Sequence, residues 1–143
     1  MKIRLVMLGK TRREEVQALF DDYVGRIRRY AEVEVTALRD TGPSALKKLK
    51  IDPAATAVLL DAEGKQYTSR QFAGWLGELR DRGTREVVFL CGDAEGFPED
   101  LRGRAKQKIS LSSFTMPYEF ARVVLAEQIY RAFAILAGHP YPK

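Results

Sequence analysis

The chain has 143 residues, 45% of them hydrophobic and 30% charged, which is the range of one compact domain with a sizeable core. Its 24 Lys and Arg against 19 Asp and Glu leave a net charge of +5, so the surface attracts polyanions. One cysteine, Cys91, excludes an internal disulfide and the usual zinc spacings, and Arg122, Glu127 and Arg131 interrupt the only apolar segment long enough to be weighed as a membrane span.

Residues 2 to 8 are a short apolar run carrying Arg4 and followed by no small-residue cleavage site, so they are expected to be a first strand rather than a signal peptide, in a cytoplasmic protein. Thr11 is expected to cap a helix in which Val16, Leu19, Phe20, Tyr23, Val24, Ile27 and Tyr30 recur at helical spacing. Glu32 to Leu38 alternates with period two, as a half-exposed strand does; Thr41-Gly42-Pro43-Ser44 then turns into a short basic helix ending near Asp52-Pro53. Thr56 to Asp61 is an uninterrupted apolar run ending in an acid, which predicts a strand covered on both faces and a turn at Ala62 to Lys65.

Ser69 is expected to cap the next helix, with Phe72, Trp75, Leu76 and Leu79 inward, while Gly74 and Gly77 point to close packing. Glu86 to Cys91 is another buried strand, running into Gly92-Asp93-Ala94-Glu95-Gly96-Phe97-Pro98 and a short helix opened by Pro98. Lys108 to Leu111 is the last strand, and Tyr118 to about Ala137 the last helix. Strand and helix alternating in this way predict an α/β fold: a mostly parallel sheet with helices on both faces, in one domain spanning residues 1–143.

Ligands of such sheets sit outside the carboxyl ends of the strands. Three ends carry residues suited to a site: Leu60-Asp61, the glycine turn Gly92 to Gly96, and the polar turn Ser110 to Pro117. Neither GxGxxG nor GxxxxGK[ST] is present, so a Rossmann dinucleotide site and a P-loop are both unsupported. The last helix is apolar around most of its circumference, through Phe120, Val123, Val124, Leu125, Ile129, Tyr130, Phe133, Ile135 and Leu136, and a second copy of the chain is the simplest cover for it. Glu127 and Arg131, four apart, are expected to pair on its surface. Four separate basic clusters, among them Arg26 to Arg29 and Lys47 to Lys50, spread positive charge over several elements.

The array Gly92-Asp-Ala-Glu-Gly96, the turn Ser110-Leu-Ser-Ser-Phe-Thr-Met-Pro117, Arg122, the Ala126-Glu-Gln-Ile-Tyr-Arg-Ala132 helix and the terminal His139-Pro140-Tyr141 resemble the SPOUT-class ribosomal RNA large subunit methyltransferase H family over nearly the full length. The resemblance implies a C-terminal trefoil knot, which periodicity alone does not reveal and which a general bias against knots would have argued against. It also implies a homodimer, S-adenosyl-L-methionine (AdoMet) as methyl donor without a metal, and methylation of N3 of a pseudouridine in 23S rRNA on the ribosome. Carried over by motif, the cofactor contacts fall on Leu60, Gly92 and Leu111, Ser112, Ser113, Phe114, Thr115 and Met116. Candidates for handling the N3 proton or positioning the base are His139 and Tyr141, with Arg122 as electrostatic help. The chain departs from the family pattern at Tyr118, Asp93 and Pro142; the last removes a potential proton acceptor. Two alternatives are a SPOUT enzyme acting on tRNA or a ribose hydroxyl, which would normally bring an added RNA-binding domain, and a ribosome-binding module without catalysis.

Overall fold

A computed structural model describes residues 1–40 and 42–141; Thr41 of the predicted turn and the departure at Pro142 lie outside the described residues. Five strands, β1 (Lys2–Leu8), β2 (Glu32–Leu38), β3 (Thr56–Gln66), β4 (Glu86–Cys91) and β5 (Gln107–Ser110), form one sheet in the order β2-β1-β4-β3-β5, with every pairing parallel. The helices are α1 (Glu14–Ile27), α2 (Pro43–Lys48), α3 (Ser69–Asp81), α4 (Glu99–Arg104) and α5 (Tyr118–Leu136).

Alternation along the strands divides the core in two, because successive side chains leave a strand on opposite faces. Ile3, Leu5, Met7, Val87, Phe89 and Cys91 face the layer of long helices, where they meet Phe20 and Val24 of α1, Phe72 and Leu76 of α3, and Leu125 and Ile129 of α5. Their neighbours Val6, Leu8, Val88 and Leu90 face the other way, onto Leu46 of α2 and Leu101 of α4. Helices therefore cover both faces, as the alternating pattern predicts.

Several local expectations are corrected. The first helix begins at Glu14 with Arg13 at the cap, because the Thr11 hydroxyl accepts a hydrogen bond from Arg122 Nη1 at 3.2 Å. The short basic helix ends at Lys48, since Leu49 already has extended backbone. Thr68, not Ser69, caps α3: its side chain accepts from Gln71 N while Gln71 Oε1 accepts from Thr68 N, a reciprocal capping box. Of the two glycines in α3, only Gly77 is closely packed, with Leu136 Cδ2 2.9 Å from where a Cβ would stand; Gly74 faces open space.

The predicted turn at residues 62 to 65 is instead part of β3, which runs on to Gln66 through an irregularity. Ile109 of β5 is opposite both Leu60 and Lys65, so residues 61 to 64 form a bulge against β5. Gly64 lies so close that a Cβ there would stand 2.7 Å from backbone atoms of Lys108 and Ile109.

Helix α5 lies between α1 and α3 above the sheet, so its own chain covers much of the apolar circumference. What remains is one stripe: Phe120 is 42% exposed, and Val123 and Val124 are half-buried beside Leu19 of α1, itself 47% exposed. Among the described residues no helix is long and apolar enough to cross a membrane.

Candidate active site

The carboxyl ends of β4, β3 and β5 are adjacent in the sheet, so the three turns singled out above converge at one edge. Leu60 and Asp61 stand where the irregularity of β3 begins, Gly92 follows β4, and Ser110 leads from β5 into the turn before α5. Between β3 and the β5–α5 turn opens a cleft of about 170 Å³, walled by Leu60, Leu111, Ser112, Phe114, Thr115 and Met116. These are six of the eight residues expected to hold the cofactor. Ser113 is exposed outside the lining, and Gly92 stands to one side on the neighbouring strand end.

The turn is built by short local hydrogen bonds. Ser110 Oγ donates to Ser112 O at 3.0 Å, and Phe114 N donates to Ser112 Oγ at 2.9 Å, which fixes the backbone without a secondary-structure ladder. Phe114 itself is 84% exposed, an apolar ring held in solvent at the mouth. Across the cleft, Asp61 Oδ1 accepts from Glu63 N at 2.9 Å and Oδ2 from Arg102 Nη1 at 3.1 Å. The backbone N–H of Glu63 and the Arg102 guanidinium together hold the Asp61 carboxyl below its usual range, against the opposing effect of burial.

Gly92 is required by its own turn. A Cβ there would meet Gly96 O at 3.0 Å and the Phe97 ring at 3.2 Å, and Gly96 adopts a positive φ of 82° to close the turn. Asp93 Oδ1 accepts from Glu95 N at 2.9 Å, so the acid at this departure from the family pattern is spent on the turn.

Arg122 is 1% exposed and lies beneath these turns rather than in the cleft. Its Nη2 donates to Leu8 O at 2.6 Å and Gly92 O at 3.4 Å, and its Nη1 to Gly9 O at 3.3 Å and Thr11 Oγ1 at 3.2 Å. Burial lowers its pKa, while the Tyr118 ring packs over the guanidinium at 5.0 Å. One cation thus ties the ends of β1 and β4 to the start of α5.

His139 and Tyr141 are not brought to the cleft of their own protomer. Helix α5 has 19 residues, about 28 Å at 1.5 Å each, and it separates Pro117 from His139. His139 is exposed; Tyr141 folds back on α5, donating to Glu127 Oε2 at 2.9 Å and lying edge-on to Tyr130 at 4.6 Å. Burial and hydrogen bonding with Tyr23 and Glu127 raise the Tyr141 pKa, so its phenol is held protonated. Arg131 pairs with Glu127 at 2.7 Å, as the spacing predicts.

Sequence reasoning missed a second pocket, which shares Ile109 and Leu111 with the cleft and is otherwise walled by Tyr67, Ser69, Phe72, Ser110, Val124 and Gln128. Ser69 looked like a helix cap and Gln128 like one polar residue on an apolar helix; only their convergence in space marks them, and no linear signal does.

A sheet whose strand-end turns build an apolar cleft of this kind, in a chain resembling the methyltransferases above, is a methyl-transfer scaffold, and comparison with known proteins agrees. Residues 1–142 match the family model described as "Predicted SPOUT methyltransferase", and the chain belongs to that family. It is 42% identical over 144 residues to the "Ribosomal RNA large subunit methyltransferase H" of Koribacter versatilis, covering 99% of this chain and 97% of that one. It is 38% identical over 151 residues to the protein of the same name from Geobacter sulfurreducens, covering 99% of both. Among solved structures, a probable methylase family protein from Haemophilus influenzae superposes with a TM-score of 0.58 at 10% identity, covering 99% of this chain and 70% of that one, a likeness of fold.

Proposed function

We propose that the protein is a ribosomal RNA large-subunit methyltransferase that uses AdoMet to methylate N3 of a pseudouridine in 23S rRNA, working as a homodimer where ribosomes are, in the cytoplasm. The observation that carries this reading is the cleft between β3 and the β5–α5 turn, in a chain whose curated relatives bear that enzyme's name over their whole length. Leu60, Leu111 and Met116 offer apolar surface to a flat ring, and the turn 111–116 offers backbone donors and acceptors for its polar edge. Among the described residues no group of three or more His, Cys, Asp or Glu is gathered.

AdoMet supplies an activated methyl group when bound, so the protein's task is to orient the acceptor nitrogen, exclude water and accommodate the N3 proton. Arg122 serves this indirectly, fixing the carbonyl of Gly92 and the ends of two strands from below. It is a positioning residue. His139 and Tyr141 reach a cofactor cleft only from a partner subunit, and the apolar stripe of Leu19, Val16, Phe120, Val123 and Val124, which borders a groove of about 410 Å³, supports such a partner.

The test is incubation with methyl-labelled AdoMet and, separately, intact ribosomes, free subunits and tRNA. Label in 23S rRNA, mapped to one pseudouridine, is expected; label only in tRNA, or none, defeats the reading.

A further inference from the structure

Beside the cofactor cleft lies a pocket of about 160 Å³, whose position relates it to everything else at this end of the sheet. It shares Ile109 and Leu111 with the cleft and Val124 with the apolar groove, and Tyr67 forms its outer wall. A group bound here would be next to the cofactor and at the edge of the proposed subunit interface.

Its polar equipment has a definite sense. Gln128 Nε2 donates to Glu127 Oε1 at 2.8 Å, and because a carboxylate only accepts, this contact fixes which end of the amide is nitrogen. Glu127 is in turn held at Oε2 by Arg131 at 2.7 Å and by the Tyr141 hydroxyl at 2.9 Å. Gln128 therefore presents its oxygen, which takes the Ser69 hydroxyl proton at 2.7 Å. With that proton spent, Ser69 Oγ has only lone pairs left, and Oε1 keeps a second one. The pocket thus offers acceptors, and the group that satisfies them is an N–H donor.

Pseudouridine differs from uridine in this respect. Its ring is joined to ribose through carbon, which leaves N1 as an N–H; uridine presents a C–H at the corresponding edge. We propose that the Tyr67–Ser69–Gln128 pocket is the acceptor-base subsite, and that Ser69 Oγ and Gln128 Oε1 read the N1–H that marks pseudouridine. With N1–H engaged there, N3 on the other side of the C2 carbonyl is free to face the wall of Ile109 and Leu111 that divides pocket from cleft. The Tyr67 ring supplies a stacking surface. This gives Tyr141 a positioning part as well, since it braces the carboxylate that orients the amide. The inference rests on the reading of function above.

The experiment compares wild type with Ser69→Ala and Gln128→Ala on ribosomes carrying pseudouridine or uridine at the methylated position, together with AdoMet titration. Wild type should favour pseudouridine roughly tenfold or more in kcat/KM, the discrimination expected of a site whose acceptors are otherwise left unpaired. Both variants should fall to within about threefold while binding AdoMet as wild type does. Variants that keep the wild-type preference overturn the assignment and leave the proposed function standing. A second readout needs no turnover: Trp75, the only tryptophan, lies 6.2 Å from Tyr67, so a short oligoribonucleotide containing pseudouridine should quench its fluorescence more strongly than the uridine counterpart, with the difference lost in Gln128→Ala. Equal quenching by the two oligonucleotides in wild type also overturns the subsite, whereas absence of methylation on either ribosome by wild type counts against the function itself.

Discussion

Replacing Gly64 by alanine tests the construction of the site at its tightest point. The added Cβ would stand 2.7 Å from Ile109 C, Ile109 N and Lys108 C, well inside van der Waals contact, and all three are backbone atoms with no rotamer to change. Either the bulge or β5 must move by several tenths of an ångström. Overpacking costs about 1–3 kcal/mol in a core where side chains can yield, so contact with backbone belongs at the upper end, about 3 kcal/mol. Loss of glycine's freedom in the unfolded chain returns about 0.4–1 kcal/mol, which leaves a net destabilisation of about 2–3 kcal/mol. At about 2.1 cal/mol/K per residue, 143 residues give an unfolding entropy near 0.3 kcal/mol/K, so Tm should fall by roughly 7–10 °C. The assay is thermal unfolding followed by circular dichroism, with wild type at the same protomer concentration. Gly74→Ala is the internal control: it sits in α3 with nothing within 4 Å of the new methyl, so helix propensity should raise stability by about 0.5–1 kcal/mol. A Gly64→Ala protein melting with wild type or above it would refute the reasoning, because the close approach would then not exist.

Arg122→Met keeps bulk but strips hydrogen bonds from the carbonyls of Leu8, Gly9 and Gly92, so a loss of about 3–5 kcal/mol is expected in denaturant unfolding, with Arg122→Lys recovering part of it. Burial pushes the Cys91 thiol up to about 12, so a thiol reagent at pH 8 should leave it unmodified in the folded protein and label it once denaturant is added. The Asp61 pKa is depressed in the fold, chiefly by the Glu63 N–H and then by Arg102; its contribution to stability is therefore present above the unfolded value of about 4 and is lost as pH falls through the folded one. Asp61→Asn should lack that acid-side loss when urea midpoints are compared from pH 7 to pH 3. Leu19→Asp with Phe120→Asp should give a monomer by sedimentation if the exposed stripe is the subunit interface.

The strands and long helices were legible in the sequence by their periods: the period-two run at 32–38 emerged as one strand, and the 3.6-period run from Val16 to Tyr30 as one helix that stops at Ile27, with Tyr30 in the turn beyond it. Boundaries shifted where a side chain had another engagement. Thr11 did not cap because Arg122, more than a hundred positions later, takes its hydroxyl, and Ser69 yielded to Thr68 because Gln71 completes a reciprocal pair only with the latter. The bulge at 61–64 was hidden because its cause is β5, far along the chain, and glycine between charged residues reads locally as a turn. In the site, Leu60 and the stretch from Leu111 to Met116 were visible as strand-end residues, with all but Ser113 reaching the cleft. Arg122 was recognised as important but placed in the wrong medium, since an arginine on an apolar helix carries no mark of whether it faces a ligand or five nearby backbone and side-chain groups. The pocket of Ser69 and Gln128 depends on residues 59 positions apart and had no linear signature.

The central claim is that the irregular stretch of β3 at Leu60 and the turn after β5 enclose a cofactor cleft, and calorimetric titration of AdoMet into wild type and Met116→Arg tests it most directly. Met116 lines the cleft half-buried, so an arginine there fills the apolar space with a cation that repels a sulfonium. Saturable binding by wild type and its loss in a variant that melts as wild type does is the predicted result; no heat with wild type, or equal affinity in the variant, would contradict the account.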